Sequence, residues 1–145
     1  MRIILDTNVL LLFGQEGIDV FSALERAADK VDAFIVPSLV VDELKKLGER
    51  ATKDGRAAKL GLALVEEKAR RSDETFLVKL LAGGWKEIPL KIVPCSAEKH
   101  ADDAILRIAE DDTIVATLDR GLQRRLLKAD RRVMGMRQKR FQSIE

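Results

Sequence analysis

One cysteine, one histidine, one asparagine, one tryptophan and no tyrosine occur among the 145 residues. Each scarcity excludes something. A lone Cys95 makes no internal disulfide and no cysteine-based zinc centre. Five phenylalanines and one tryptophan do not make a broad aromatic platform for stacking bases. No apolar run approaches the length of about 18 residues needed to span a bilayer as a helix. The first residues hold one arginine and pass straight into strand-like sequence, without the pattern of a secretory leader. A cytoplasmic protein with no membrane partner is the expectation.

What is present suits a folded chain. Hydrophobic residues make up 46%, enough for a core, and the length suits one domain over residues 1–145. Charged residues reach 34%, a trait shared with thermophile proteins. The net charge of +2 conceals an asymmetry. From about residue 120 to 145 nine Lys or Arg face two acids, a net of +7, whereas the remainder carries a net of −5. A basic C-terminal segment on an acidic body suggests a polyanionic partner. The alternative is a solvated, salt-bridged surface.

Strand and helix signals alternate. RIIL (2–5), DAFIVP (32–37), LKIV (90–93), TIVATL (113–118) and RVMGM (132–136) read as five strands. Residues 15–30, LVVDELKKLG with Ser38 as N-cap and Gly48 as stop, 55–71, 96–110 and 121–129 read as helices. The stretch 72–88 is ambiguous, with GGW suggesting a turn. Within 55–71, Leu60, Leu62, Leu64 and Val65 fit either a core or an interface, with at least half expected in the core. The alternation implies right-handed βαβ units and a mainly parallel sheet of five strands.

The sheet explains an oddity in IILDTNVLL (3–11). In open parallel sheets, ligands bind beyond the carboxyl ends of the strands. If the first strand ends near Leu5, Asp6 lies at that mouth. Asp119 follows TIVATL in the same way, and it could alternatively cap the helix after it. Helical phase selects two further acids. With successive residues about 100° apart, Glu43 shares a face with Leu39, Val40 and Leu47, and Asp42 does not. Asp102 shares a face with Ile105, Leu106 and Ala109, leaving Asp103 at the rim.

Gathering Asp6, Glu43, Asp102 and Asp119 is costly, since ionised carboxylates repel and desolvation penalises each. A divalent cation would resolve the conflict, and an all-oxygen donor set favours Mg²⁺ or Mn²⁺. His100 could add a Mn²⁺ ligand; a plain helix-start residue is the simpler reading. An acidic metal site beside basic residues suits phosphodiester hydrolysis. Lysine and arginine would hold flanking phosphates, with Lys46, Arg120, Arg124 and Arg125 as candidates.

ILDTNVLL, VPSLVVDELKKL, HADDAIL and IVATLDRGL together resemble, in order and spacing, the four acidic motifs of PIN-domain ribonucleases. The resemblance runs from residue 2 to about 136. It implies a three-layer α/β/α fold around the five-stranded, mainly parallel sheet. It also implies metal ligands at Asp6, Glu43, Asp102 and Asp119, with Asp103 as an optional ligand and Asn8 and Thr117 as supporting polar residues. Leu118 stands where the family often has Asn. The doubled ADD and VATLDRGLQRRL are similar to the small-subunit rRNA-processing branch and its archaeal counterparts, though a zinc ribbon found in one such relative has no cysteines here. The toxin branch of toxin–antitoxin pairs carries the same acids. The resemblance thus implies an endoribonuclease on single-stranded RNA, with rRNA precursors as one substrate class. It also brings a homodimer and an antitoxin as candidate partners, with 55–71 as either the dimer contact or a clamp over RNA. A non-catalytic RNA-binding scaffold and a phosphoryl-transfer enzyme with an aspartyl nucleophile are alternatives of other classes; Asn8 stands where the latter expects a second acid.

Overall fold

Four consecutive residues, Arg2–Leu5, form β1 because Ile3, Ile4 and Leu5 can be buried on both faces of a parallel sheet. The same logic forms β2 (Ala33–Pro37), which is buried throughout. β3 (Leu90–Val93), β4 (Thr113–Ala116) and β5 (Arg132–Arg137) complete the parallel set. The structure is a computed structural model that describes residues 1–82, 87–95 and 97–145, of 74–82 the backbone alone. The GGW turn and Ser96 therefore lie outside the described residues.

Among the described residues the sheet has six strands, not five, in the order β3-β2-β1-β4-β5-β6. The sixth, β6 (Arg140–Ile144), runs antiparallel to β5 and forms the edge. Its sequence RFQSI buries only Phe141, so it carries little apolar alternation. Its turn uses Gln138 and Lys139 at φ 51 and 61 rather than the Asn-Gly pair that advertises a hairpin.

The crossovers surround this sheet with helices. Between β1 and β2 lie α1 (Thr7–Leu10), α2 (Leu12–Glu16) and α3 (Val20–Ala27). The single helix expected over 15–30 is divided because Gly17, at φ 66, closes α2, and Asp19 then caps α3 through Ser22 N. Helix α4 spans Ser38–Gly48. Ser38 is its first residue, not its cap, and the Ser38 hydroxyl instead accepts from Cys95 N at 2.9 Å.

Helix α5 (Lys53–Ala82) is far longer than the expected 55–71. It buries Ala57, Ala58, Gly61, Val65 and Lys68, a stripe at helical spacing. Small residues there allow close backbone approach. A Cβ on Gly61 would lie 2.4 Å from Leu10 O, and one on Gly14 would lie 2.6 Å from Ala57 Cα. Val65 is in the core, Leu62 is half-buried, and Leu60 and Leu64 are exposed. Lys68 Nζ is buried 3.2 Å from Glu87 Oε1 and 4.9 Å from the Phe21 ring, tying α5 to the approach to β3. Helix α6 covers only Ala101–Ile108, with His100 in the cap position, and α7 covers Arg120–Lys128.

From central β1 the chain moves to β2 on one side; it returns through β4 on the other. The crevice between the carboxyl ends of β1 and β4 is thus the switch point of the sheet, where right-handed crossovers leave on opposite faces. Asp6 follows β1 there, and Thr117 to Asp119 follow β4.

Candidate active site

Asp6 is 4% exposed, directly after three buried aliphatic residues. Its extended backbone (φ −88, ψ 162) makes it the N-cap of α1, and its Oδ1 accepts from Thr7 N at 2.8 Å. Its Oδ2 accepts from Thr117 Oγ1 at 2.7 Å and from Asn8 Nδ2 at 3.3 Å. Burial raises the Asp6 carboxyl above the ordinary carboxylate range. The Thr117 and Thr7 hydrogen bonds pull it down, and the charges of Asp102 and Glu43 push it up again.

Asn8 joins the two strand ends. While its amide nitrogen donates to Asp6, its Oδ1 accepts from Leu118 N at 3.0 Å. Thr117 joins them a second time. It is fully buried, and its Oγ1 accepts from Asp119 N at 3.1 Å while donating to Asp6. Gln123 holds Thr117 from α7, donating from Nε2 to the Thr117 carbonyl at 2.7 Å.

Asp119 caps α7, the alternative its position allowed, with its Oδ1 accepting from Gly121 N at 2.8 Å and Leu122 N at 3.1 Å. Its Oδ2 accepts no hydrogen bond from a described residue. Asp102 is half-buried and Asp103 exposed, as the phase of α6 implied. Among the described residues nothing donates to the Asp102 carboxylate. Burial and then Asp119 raise its pKa; Arg125 opposes them, Asp103 adds to the rise, and His100 also lowers it. Arg125 itself pairs with Asp103 at 2.9 Å.

Glu43 departs from expectation. It is exposed, because α4 buries Val40, Val41, Leu44 and Gly48, a face centred roughly a third of a turn away from it. The rotation follows the packing of α4 on α5. Its carboxylate nevertheless reaches the crevice, where Thr7 Oγ1 donates to Oε2. Thr7 was not singled out in sequence, and neither was Gln123. The signal for Thr7 was its place inside DTN, immediately after a capping aspartate.

The electrostatic neighbours thus run Glu43, Asp6, Asp102, Asp119. Among the described residues, no group of three or more His, Cys, Asp or Glu is placed to hold one metal ion. Asp6, Glu43, Asp103 and one oxygen of Asp119 accept from protein donors. The donor chemistry nevertheless fits a hard divalent cation. Every candidate ligand is a carboxylate oxygen. Among the described residues Asp102 accepts no hydrogen bond and neither Asp6 nor Asp102 forms an ion pair, the Arg125 that acts on Asp102 being paired with Asp103. Lys46, Arg120 and Arg124 are exposed.

A family profile described as PIN like domain matches residues 3–79, from β1 into α5 and more than half of the chain. The chain belongs to the PIN-like domain family. The matched stretch includes Asp6, Asn8 and Glu43; Asp102, Thr117 and Asp119 lie beyond it. Comparison with curated proteins finds no match. Among solved structures, that of the PIN domain endonuclease Utp24 superposes with a TM-score of 0.66 and 20% identity. The match covers 98% of this chain and 90% of that one. At that identity the likeness concerns the fold. The PIN-like domain fold therefore extends past the profile match, through β4, α7 and the sheet edge. No helix among the described residues is long and apolar enough to cross a membrane.

Proposed function

We propose that this PIN-like domain protein is a divalent-metal-dependent endoribonuclease that hydrolyses phosphodiester bonds in single-stranded RNA, with rRNA precursors as a substrate class. The observation that carries the reading is the Asp6–Thr117–Asp119 linkage at the switch point, with the donorless Asp102 electrostatically coupled to both acids. Such an arrangement concentrates negative charge where open α/β sheets bind ligands. The acidic motifs and the family membership support it further.

Asp6, Glu43, Asp102 and Asp119 would hold the cation, with Asp103 as a further oxygen donor once Arg125 is engaged elsewhere. A bound Mg²⁺ or Mn²⁺ supplies positive charge at phosphoryl oxygens and acidifies water. The chain's own residues do the rest. Thr117 and Asn8 set the orientation of the Asp6 carboxylate, and Thr7 that of Glu43. Capping by the first amides of α7 sets that of Asp119. Lys46, Arg120, Arg124 and Arg125 bind flanking phosphates as charge partners that carry no base information. Recognition is then of backbone rather than of stacked bases.

The test uses a circular single-stranded RNA, which only an endonuclease can open. Linearisation is expected with Mn²⁺, and is expected to vanish with EDTA or in Asp6→Asn. Cleavage that persists under chelation, or that Asp6→Asn leaves unaltered, overturns the proposal.

A further inference from the structure

The β5–β6 hairpin violates local rules in three ways at once. Arg137 and Arg140 are direct cross-strand partners, and like charges set opposite one another destabilise a hairpin. The two turn residues between them, Gln138 and Lys139, both hold positive φ without being glycine, which costs stability relative to Asn-Gly. The tip then adds a third cation, Lys139, whose only ion-pair contact among the described residues is an exposed 3.9 Å approach to Glu16. Arg137 and Arg140 have no ion-pair partner among the described residues, and all four residues of RQKR are exposed.

Its location gives the cluster a use. β1, β4 and β5 are parallel, and register places Leu5 beside Ala116 and Ala116 beside Met134. Asp6 therefore sits level with Thr117 and Gly135, and Arg137 stands two residues further out, about 7 Å beyond at the usual rise. The tip thus projects past the carboxyl end of the sheet, on the same side as the acid crevice. Arg137 and Arg140 share the face of Gly135, whose Cβ position lies 2.8 Å from Gln123 Nε2 of α7. Helix α7, which packs on that face, also carries the exposed Arg120 and Arg124. On the opposite face, Phe141 borders a cleft of about 520 Å³ with Ala23, Arg26 and Ala27 of α3, and the tip residues Lys139 and Arg140 form its rim.

We propose that the hairpin tip, through Arg137, Lys139 and Arg140, is a phosphodiester-binding arm. It grips the backbone of single-stranded RNA a few nucleotides from the acid crevice. This deepens the nuclease reading and rests on it for the identity of the strand. A polyanion resolves the Arg–Arg opposition that the hairpin alone cannot. A charged guard that merely stops edge strand β6 from pairing with other chains needs no anion, and it is the competing outcome.

The full chain is titrated in EDTA, so that no cleavage occurs, with a fluorescein-labelled oligouridylate of about 16 nucleotides, the upper end of common single-strand site sizes. The parent is compared with the triple variant Arg137→Gln, Lys139→Gln, Arg140→Gln and with Arg137→Lys, Lys139→Arg, Arg140→Lys. The glutamine variant is expected to bind at least tenfold more weakly. Its slope of log affinity against log salt should be shallower by about 2, as for three lost phosphate contacts at roughly 0.7 each. The charge-preserving variant should bind as the parent does. Equal affinity and slope in the glutamine variant, or an RNA-binding parent whose loss is not restored by the charge-preserving variant, overturns the arm; so does a parent that binds no RNA. A dinucleotide cleaved with Mn²⁺ at the parent rate by the glutamine variant separates the two proposals: the arm can then fail with cleavage intact. Conversely, a loss of binding in a protein that cuts nothing leaves the arm and removes the nuclease.

Discussion

Thr117 Oγ1 donates to Asp6 Oδ2 at 2.7 Å across 111 positions of sequence. One hydroxyl thereby holds the acid at the end of β1 and accepts the amide of the acid after β4. Thr117→Val keeps the shape and deletes both bonds. The loss should destabilise the protein by about 1–3 kcal/mol, the usual penalty for stranding buried polar groups. Thr117→Ser, which keeps the hydroxyl, should lose less. Urea unfolding of the two variants checks this, and equal stability of the valine variant and the parent would remove Thr117 from the site's support.

The raised Asp6 carboxyl carries a pH signature. Its main cause is burial. Between the unfolded value of about 3.9 and the higher folded value, the native state holds a proton that the unfolded chain has released. Native stability contributed at this position therefore falls as pH rises through that window. Asp6→Asn removes the dependence. Relative to the parent, the variant should gain stability from about pH 4 towards neutrality, and the gain should vanish on acidification. Unfolding curves collected across that range would expose a flat difference, which would count against burial as the dominant cause.

Divalent metal should reverse that ranking. A cation bound to native Asp6, Asp102 and Asp119 stabilises by mass action, about 2.7 kcal/mol at a hundredfold excess over Kd. For a chain of this size that raises Tm by roughly 5–11 °C at 2–4 °C per kcal/mol. Mn²⁺ should produce such a shift in the parent and little in Asp6→Asn or Asp102→Asn. Differential scanning fluorimetry with Mn²⁺, then with EDTA, measures it; identical shifts in all three proteins would place the ion elsewhere.

Gly61 supports the site from a distance. Alanine would ordinarily favour a helix interior by about 1 kcal/mol. Here its Cβ would meet the Leu10 carbonyl oxygen at 2.4 Å, and Leu10 ends the short helix capped by Asp6. Backbone cannot swing aside as a side chain would. Gly61→Ala is expected to destabilise by about 1–3 kcal/mol despite its propensity, and a thermal melt equal to the parent's would show that α1 yields freely.

Much of this molecule was legible in order along the chain. Apolar runs closed by turn signals located the five parallel strands, and the carboxyl-end rule placed Asp6 and Asp119 at the mouth of the sheet. Helical phase separated Asp102 from Asp103 correctly because Ala101, Ala104 and Ile105 define the buried face of α6. The same test misjudged Glu43. Leu39 and Leu47 are only half-buried, so apolar identity did not mark the side that α4 turns inwards. β6 escaped notice because one buried phenylalanine makes no periodic pattern.

The sequence by itself determined which acids stand at strand ends, since an apolar β-branched or aliphatic run and the polar residue that ends it are read from neighbours along the chain. Tertiary structure alone decided how those acids are held and what faces them. The Thr117–Asp6 bond, the bridge made by the single asparagine, and the Arg137–Arg140 opposition all depend on strand register. Register is an agreement between segments that no local pattern can express.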